Sequence, residues 1–134
     1  MGALRIDRRC RPAGFLTASP LALQPRLMVA DRFGIRAIGL LGTPDLRSDE
    51  ALILLPCAAV HGIGLRCAIG VAFVDRRGVV LRVVDPLPRR GARVRGAHAV
   101  IEARAGVLAA LVPGDTVEVD DETIFPLRGN SALR

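Results

Sequence analysis

A chain of 134 residues, 51% hydrophobic and 24% charged, is sized for one domain with one core and carries too much apolar surface to stay disordered. Its formal charge is +6, but all 19 basic residues are arginine, beside abundant Ala, Gly, Leu and Val, a pattern of compositional bias rather than of a nucleic-acid footprint. Three cysteines, Cys10, Cys57 and Cys67, exclude a fully paired disulfide framework and favour a reducing, cytoplasmic setting.

Arg5, Arg8 and Arg9 open the chain, yet Pro12, Pro20 and Pro25 interrupt the succeeding stretch before the apolar core of a signal peptide develops. A weak hairpin is expected first: a strand at residues 4–8, a turn rich in Pro, Ala and Gly, and a second strand at residues 26–29. Asp31 then offers an N-cap to a short helix over residues 32–41, with Phe33, Ala37, Ile38 and Leu41 on one face and Gly42 as its stop. Residues 51–55, ended by Pro56, form an apolar run too short for a helix and read as a buried strand. The most apolar stretch, residues 51–65, is also shorter than the roughly 20 residues a membrane span needs and contains Pro56 and His61, so no span is expected.

The strongest local signal is a hairpin. Residues 69–74 and 79–84 flank Asp75-Arg76-Arg77-Gly78, in which Gly78 can take the positive φ that a type I turn with a following bulge requires. Pro86 and Pro88 then break the ladder. A strand at residues 97–103 places Ala97, Ala99, Ile101 and Ala103 on one face and His98, Val100 and Glu102 on the other. A short helical turn at residues 107–111 and the turn Pro113-Gly114-Asp115, with Asp115 bonding locally, lead to a last strand at residues 116–119. Residues 120–134 read as a loose C-terminal tail. The expected fold is α+β and predominantly β: a single domain over residues 1–134, a small compact barrel-like sheet with two short helices.

The ordered segments VADRFGIRAIGLLG, ALILLPC, VHGIGLRCAIGVAFVD, AHAVIEARAG and PGDTVEV together resemble the domain of unknown function 192, an uncharacterised family, over residues 26–119. Pro56, Cys57, Val60, His61, Gly64, Arg66, Ile69, Val71, Phe73 and Asp75 match its central motif. Gly62 stands where that motif has threonine, Leu65 where it has methionine, Cys67 where it has an aromatic residue, Ala68 where it has proline and Gly70 where it has aspartate. The resemblance implies a compact β-rich fold and no established reaction.

Cys57, His61, Cys67 and His98 supply zinc-type ligands, but positions four apart on a strand lie about 13 Å from each other at roughly 3.3 Å per residue, too far for one ion. No metal and no cofactor are expected. A Cys57 or Cys67 nucleophile with His61 as base would need an activating charge such as Arg66, but on a regular strand Cys57, His61 and Cys67 share one face and Arg66 lies on the other, so core cysteines are the simpler reading. Ser19, Ser48 and Ser131 lack a strand-to-helix elbow, and Gly62-Ile63-Gly64 lacks the lysine and following helix of a phosphate loop. The favoured function is a noncatalytic accessory module binding a protein or small-molecule ligand through Cys57, His61, Gly64 and Arg66, with glycines permitting close approach. The alternatives are an enzyme using Cys57 or His61, and a weak nucleic-acid binder using Arg89, Arg90, Arg93 and Arg95, which is disfavoured because no aromatic ring accompanies them.

Overall fold

The computed structural model describes residues 11–19, 26–30, 50–61 and 68–119. Its strands are β1 (Arg11–Ser19), β2 (Arg26–Ala30), β3 (Glu50–Leu54), β4 (Ala59–Val60), β5 (Ile69–Val74), β6 (Val80–Val84), β7 (Ala92–Arg93), β8 (Ala99–Arg104) and β9 (Thr116–Val119). Seven of them form a sheet in the order β6-β5-β8-β3-β2-β1-β9, and β4 pairs with β7 in a separate two-stranded sheet.

The hairpin β5–β6 follows from its turn. Asp75 Oδ1 accepts hydrogen bonds from Arg77 N at 2.8 Å and Val79 N at 3.0 Å, and Gly78 sits at φ 83°. An aspartate accepting from amides two and four residues on satisfies groups that the turn would leave unpaired. The strands pair antiparallel, with a register shift between Phe73 and Val74.

Strand β8 lies between β5 and β3, antiparallel to both, so its side chains alternate into two apolar layers. On one face Ala99, Ile101 and Ala103 join Ala51, Ile53, Ala72, Val74 and Val117; on the other, Val100 joins Leu52, Leu54, Ile69, Val71 and Phe73. All of these are buried, and each large side chain removed from water contributes roughly 1.5–3 kcal/mol. The second face is covered by Cys57, Val60, Leu87, Ala92, Val94 and Ala97, which brings the small β4–β7 sheet against the outside of the large one.

Several expectations change. Residues 11–19, read as a turn because of Pro12, Ala13 and Gly14, form β1: its first part pairs antiparallel with β2 and its second, Leu16–Ser19, with β9. The β1–β2 register shifts between Pro12 and Phe15, and the partner changes after Phe15, which pairs with Arg26, to Leu16, which pairs with Val119. β2 and β3 pair in parallel from Arg26↔Glu50 to Ala30↔Leu54. Residues 107–111 are turns, not a helix: Val107 N, Ala109 N and Leu111 N each bond only three residues back, and no ladder of successive bonds builds. No helix occurs among the described residues; the strand expected at residues 4–8, the helix expected at residues 32–41 and the tail at residues 120–134 lie outside them. The described strands do not close into the expected barrel: between the two ends of the strand order they make the isolated bridge Val79↔Thr116, flanked by bonds from Val80 N to Asp115 O and from Val117 N to Gly78 O. The predominantly β character stands, and no described helix is long and apolar enough to cross a membrane.

Candidate binding site

The site begins with a turn. Gly91 N donates to Pro88 O at 2.8 Å, closing a four-residue turn with Arg89 and Arg90 at its corners. Gly91 leaves the turn at φ 82°, and a β-carbon there would run into Val60 O and come within 2.6 Å of His61 Cα. Only glycine combines that conformation with so close a backbone approach. Immediately afterwards Ala92 pairs with Val60 and Arg93 with Ala59, while Val94 N donates to Ala58 O and Cys57 N to His98 O, both at 2.9 Å.

This local pairing brings His61, just past β4, beside Arg90 and Arg93 around an open cleft of about 400 Å³. Ala59 and Val60 supply an apolar wall, and Gly91 and Ala92 complete it. His61, Arg90 and Arg93 are all exposed. None of the described residues lining the cleft is acidic. The carboxylates of Asp75, Asp85 and Asp115 are instead held on backbone amides elsewhere, Asp115 on Val112 N at 3.0 Å. A second cleft of about 370 Å³ gathers Pro56, Arg76, Arg77 and His98, but Asp75 is in its wall.

Two of the four residues singled out in the sequence, Gly64 and Arg66, lie outside the described residues, as do Gly62 and Cys67. Cys57 and His61 are described and take different roles. The Cys57 thiol donates to Ala59 O at 3.2 Å, is half-buried and packs against the Leu52–Phe73 layer; it is not among the described residues of the His61 cleft. His98 belongs to the second cleft. Among the described residues no three His, Cys, Asp or Glu side chains converge as a metal site. Gly70, where the resembled motif carries an aspartate, adjoins the Asp85 side chain, which fills the space a side chain at 70 would need. Nothing local in the sequence links His61 to the arginines of residues 89–95 or points to Gly91, because two-residue strands leave no periodic signal.

Glu102 is the other unusual group. It lies between Leu52 and Val71 on neighbouring strands, is 5% exposed, and its Oε1 is buried without a hydrogen-bond partner. Burial alone pushes its carboxyl up to about 8, because the charged form would lose its hydration in an apolar layer.

Residues 17–119 match the family DUF192, Uncharacterized ACR. The chain belongs to DUF192. No curated protein matches it. Among solved structures, a protein of unknown function from Novosphingobium aromaticivorans is 22% identical with a TM-score of 0.69, over 87% of this chain and 92% of its own. A putative transcription regulator from Sinorhizobium meliloti is 18% identical with a TM-score of 0.67, over 82% of this chain and 93% of its own. At these identities the likeness establishes a shared fold for this DUF192 chain and its neighbours.

Proposed function

We propose that this DUF192 protein is a noncatalytic binding module whose contact surface is the β4–β7 face around His61. The observation that carries this reading is the division between thiol and imidazole. Cys57 donates to Ala59 O, packs against the Leu52–Phe73 layer and is not among the described residues lining the cleft, whereas His61 lines that open cleft with two arginines. A cysteine–histidine enzyme needs the base within reach of the nucleophile. A binding face needs convergent polar groups on a rigid support, which the paired strands and the Gly91 turn provide. An extended nucleic-acid interface has less support: Phe73, the only Phe side chain among those described, is fully buried, so no Phe ring is offered for base stacking there.

The test tracks Cys57 in a protein carrying Cys10→Ser and Cys67→Ser. A thiol reagent should label Cys57 slowly under native conditions, at a rate that His61→Gln leaves unchanged. Rapid labelling abolished by His61→Gln would instead establish a paired nucleophile and base and overturn the binding reading.

A further inference from the structure

We infer that the β4–β7 cleft binds a phosphate monoester group, a ligand class that rests on the binding-module reading above. Arg90 and Arg93 reach the cleft from one rigid unit, the Pro88–Gly91 turn and the strand after it, and His61 closes the opposite side. Guanidinium groups offer planar forks of N–H donors that match oxyanions and stay charged at any physiological pH.

Charge and stoichiometry favour phosphate over carboxylate. One arginine fork takes one lone pair on each oxygen of a carboxylate, so a second guanidinium could still bond to it, but the two cations would share a single negative charge. A phosphate monoester carries about −1.5 to −2 charge and three terminal oxygens, enough to engage both forks and an imidazole together. The absence of acidic residues among the described lining favours such a charge here, whereas the second cleft, with Asp75 in its wall, is less suited to it.

Size and wall chemistry describe the rest of the ligand. A cleft of about 400 Å³ is at the small end of ligand sites, which suits a small ester rather than a dinucleotide. Ala59 and Val60 offer aliphatic contact and no ring, so the esterified group is small and aliphatic or sugar-like.

The experiment is calorimetric titration with glycerol phosphate as the probe, with inorganic phosphate and succinate in parallel. Saturable one-to-one binding of both phosphates is expected, with succinate weaker by about tenfold or more. Arg90→Gln and Arg93→Gln should each weaken glycerol phosphate by about tenfold, while Arg82→Gln, an exposed arginine on β6, leaves it unchanged. All three side chains are exposed, so the variants should keep the wild-type circular dichroism.

No binding of either phosphate, or equal losses in all three variants, overturns the assignment. So does preferential binding of a short DNA duplex with losses spread evenly over the arginines, which would mark general polyanion attraction. The Cys57 labelling test does not depend on phosphate. A blank titration with a slow thiol therefore removes the ligand class alone, and a fast His61-dependent thiol removes the binding reading itself.

Discussion

The carboxylate of Asp85 stands against Gly70, in the volume that any larger residue's β-carbon would occupy. Both of its oxygens accept from Gly106 N, at 2.9 and 3.0 Å, so Asp85 ties the end of β6 to the turn after β8 across the start of β5. An aspartate at position 70 would drive a second carboxylate into the same space. Glycine there is a consequence of the packing.

Gly70→Ala should destabilise the fold by about 1–3 kcal/mol, the usual cost of forcing extra volume into a filled site. Asp85→Ala should cost about 0.5–1.5 kcal/mol by removing the bonds to the Gly106 amide, which is exposed and can turn to water. Together they should cost clearly less than their sum, because removing the carboxylate makes room for the new methyl group. Urea unfolding of the two single variants and the double variant measures this, and strict additivity would refute the contact.

Glu102 makes stability depend on pH in a direction opposite to that of an ion-paired carboxylate. Its folded pKa is about 8 against 4.5 for the ordinary group, so between those values the folded chain holds a proton that the unfolded chain has released. Stability must then fall as pH rises across that interval and level off above it, by about 1.4 kcal/mol per pH unit at most. Glu102→Gln should flatten the decline and be the more stable protein near the upper limit. Parallel urea-midpoint profiles for the two proteins from about pH 5 to about pH 9 would show that Glu102 ionises as freely folded as unfolded.

Two glycines with nearly the same backbone provide a controlled comparison. Gly91 and Gly96 lie at φ 82° and 88°, but a β-carbon meets the Val60–His61 backbone at the first and open space at the second. Gly96→Ala should cost about 1 kcal/mol of conformational strain alone. Gly91→Ala adds a backbone clash and should open the β4–β7 pairing. Amide exchange would register this as lost protection at Val94 N and Cys57 N, with the central amides of β3 and β8 unaffected. Equal exchange in both variants would count against the close approach.

What the sequence discloses and what it hides separate along physical lines. The hairpin around Asp75 and Gly78 was legible because its turn, its register and its partner all lie within a few residues. The two faces of β8 were legible because alternation needs no knowledge of the neighbours. β1 was not: Pro12, Ala13 and Gly14 are turn formers locally, and only pairing with β2 and β9 makes an extended strand of that segment. The parallel pairing of β2 with β3 has no local sign either. His61 was visible as a candidate, yet its neighbours Arg90 and Arg93 come from about thirty residues further on, joined by a sheet of two residues per strand.

β9 joins distant parts of the chain. It pairs along its length with β1 and, through Thr116, bridges to Val79 at the opposite end of the strand order. The earliest and latest described segments therefore complete one another, and a ribosome-bound chain cannot finish this sheet until residue 119 has emerged. Such non-local pairing predicts slow assembly. Deleting β9 would leave both the second half of β1 and the Gly78–Val80 backbone open to pairing with other molecules, so truncation there should bring aggregation before it brings any local loss of function.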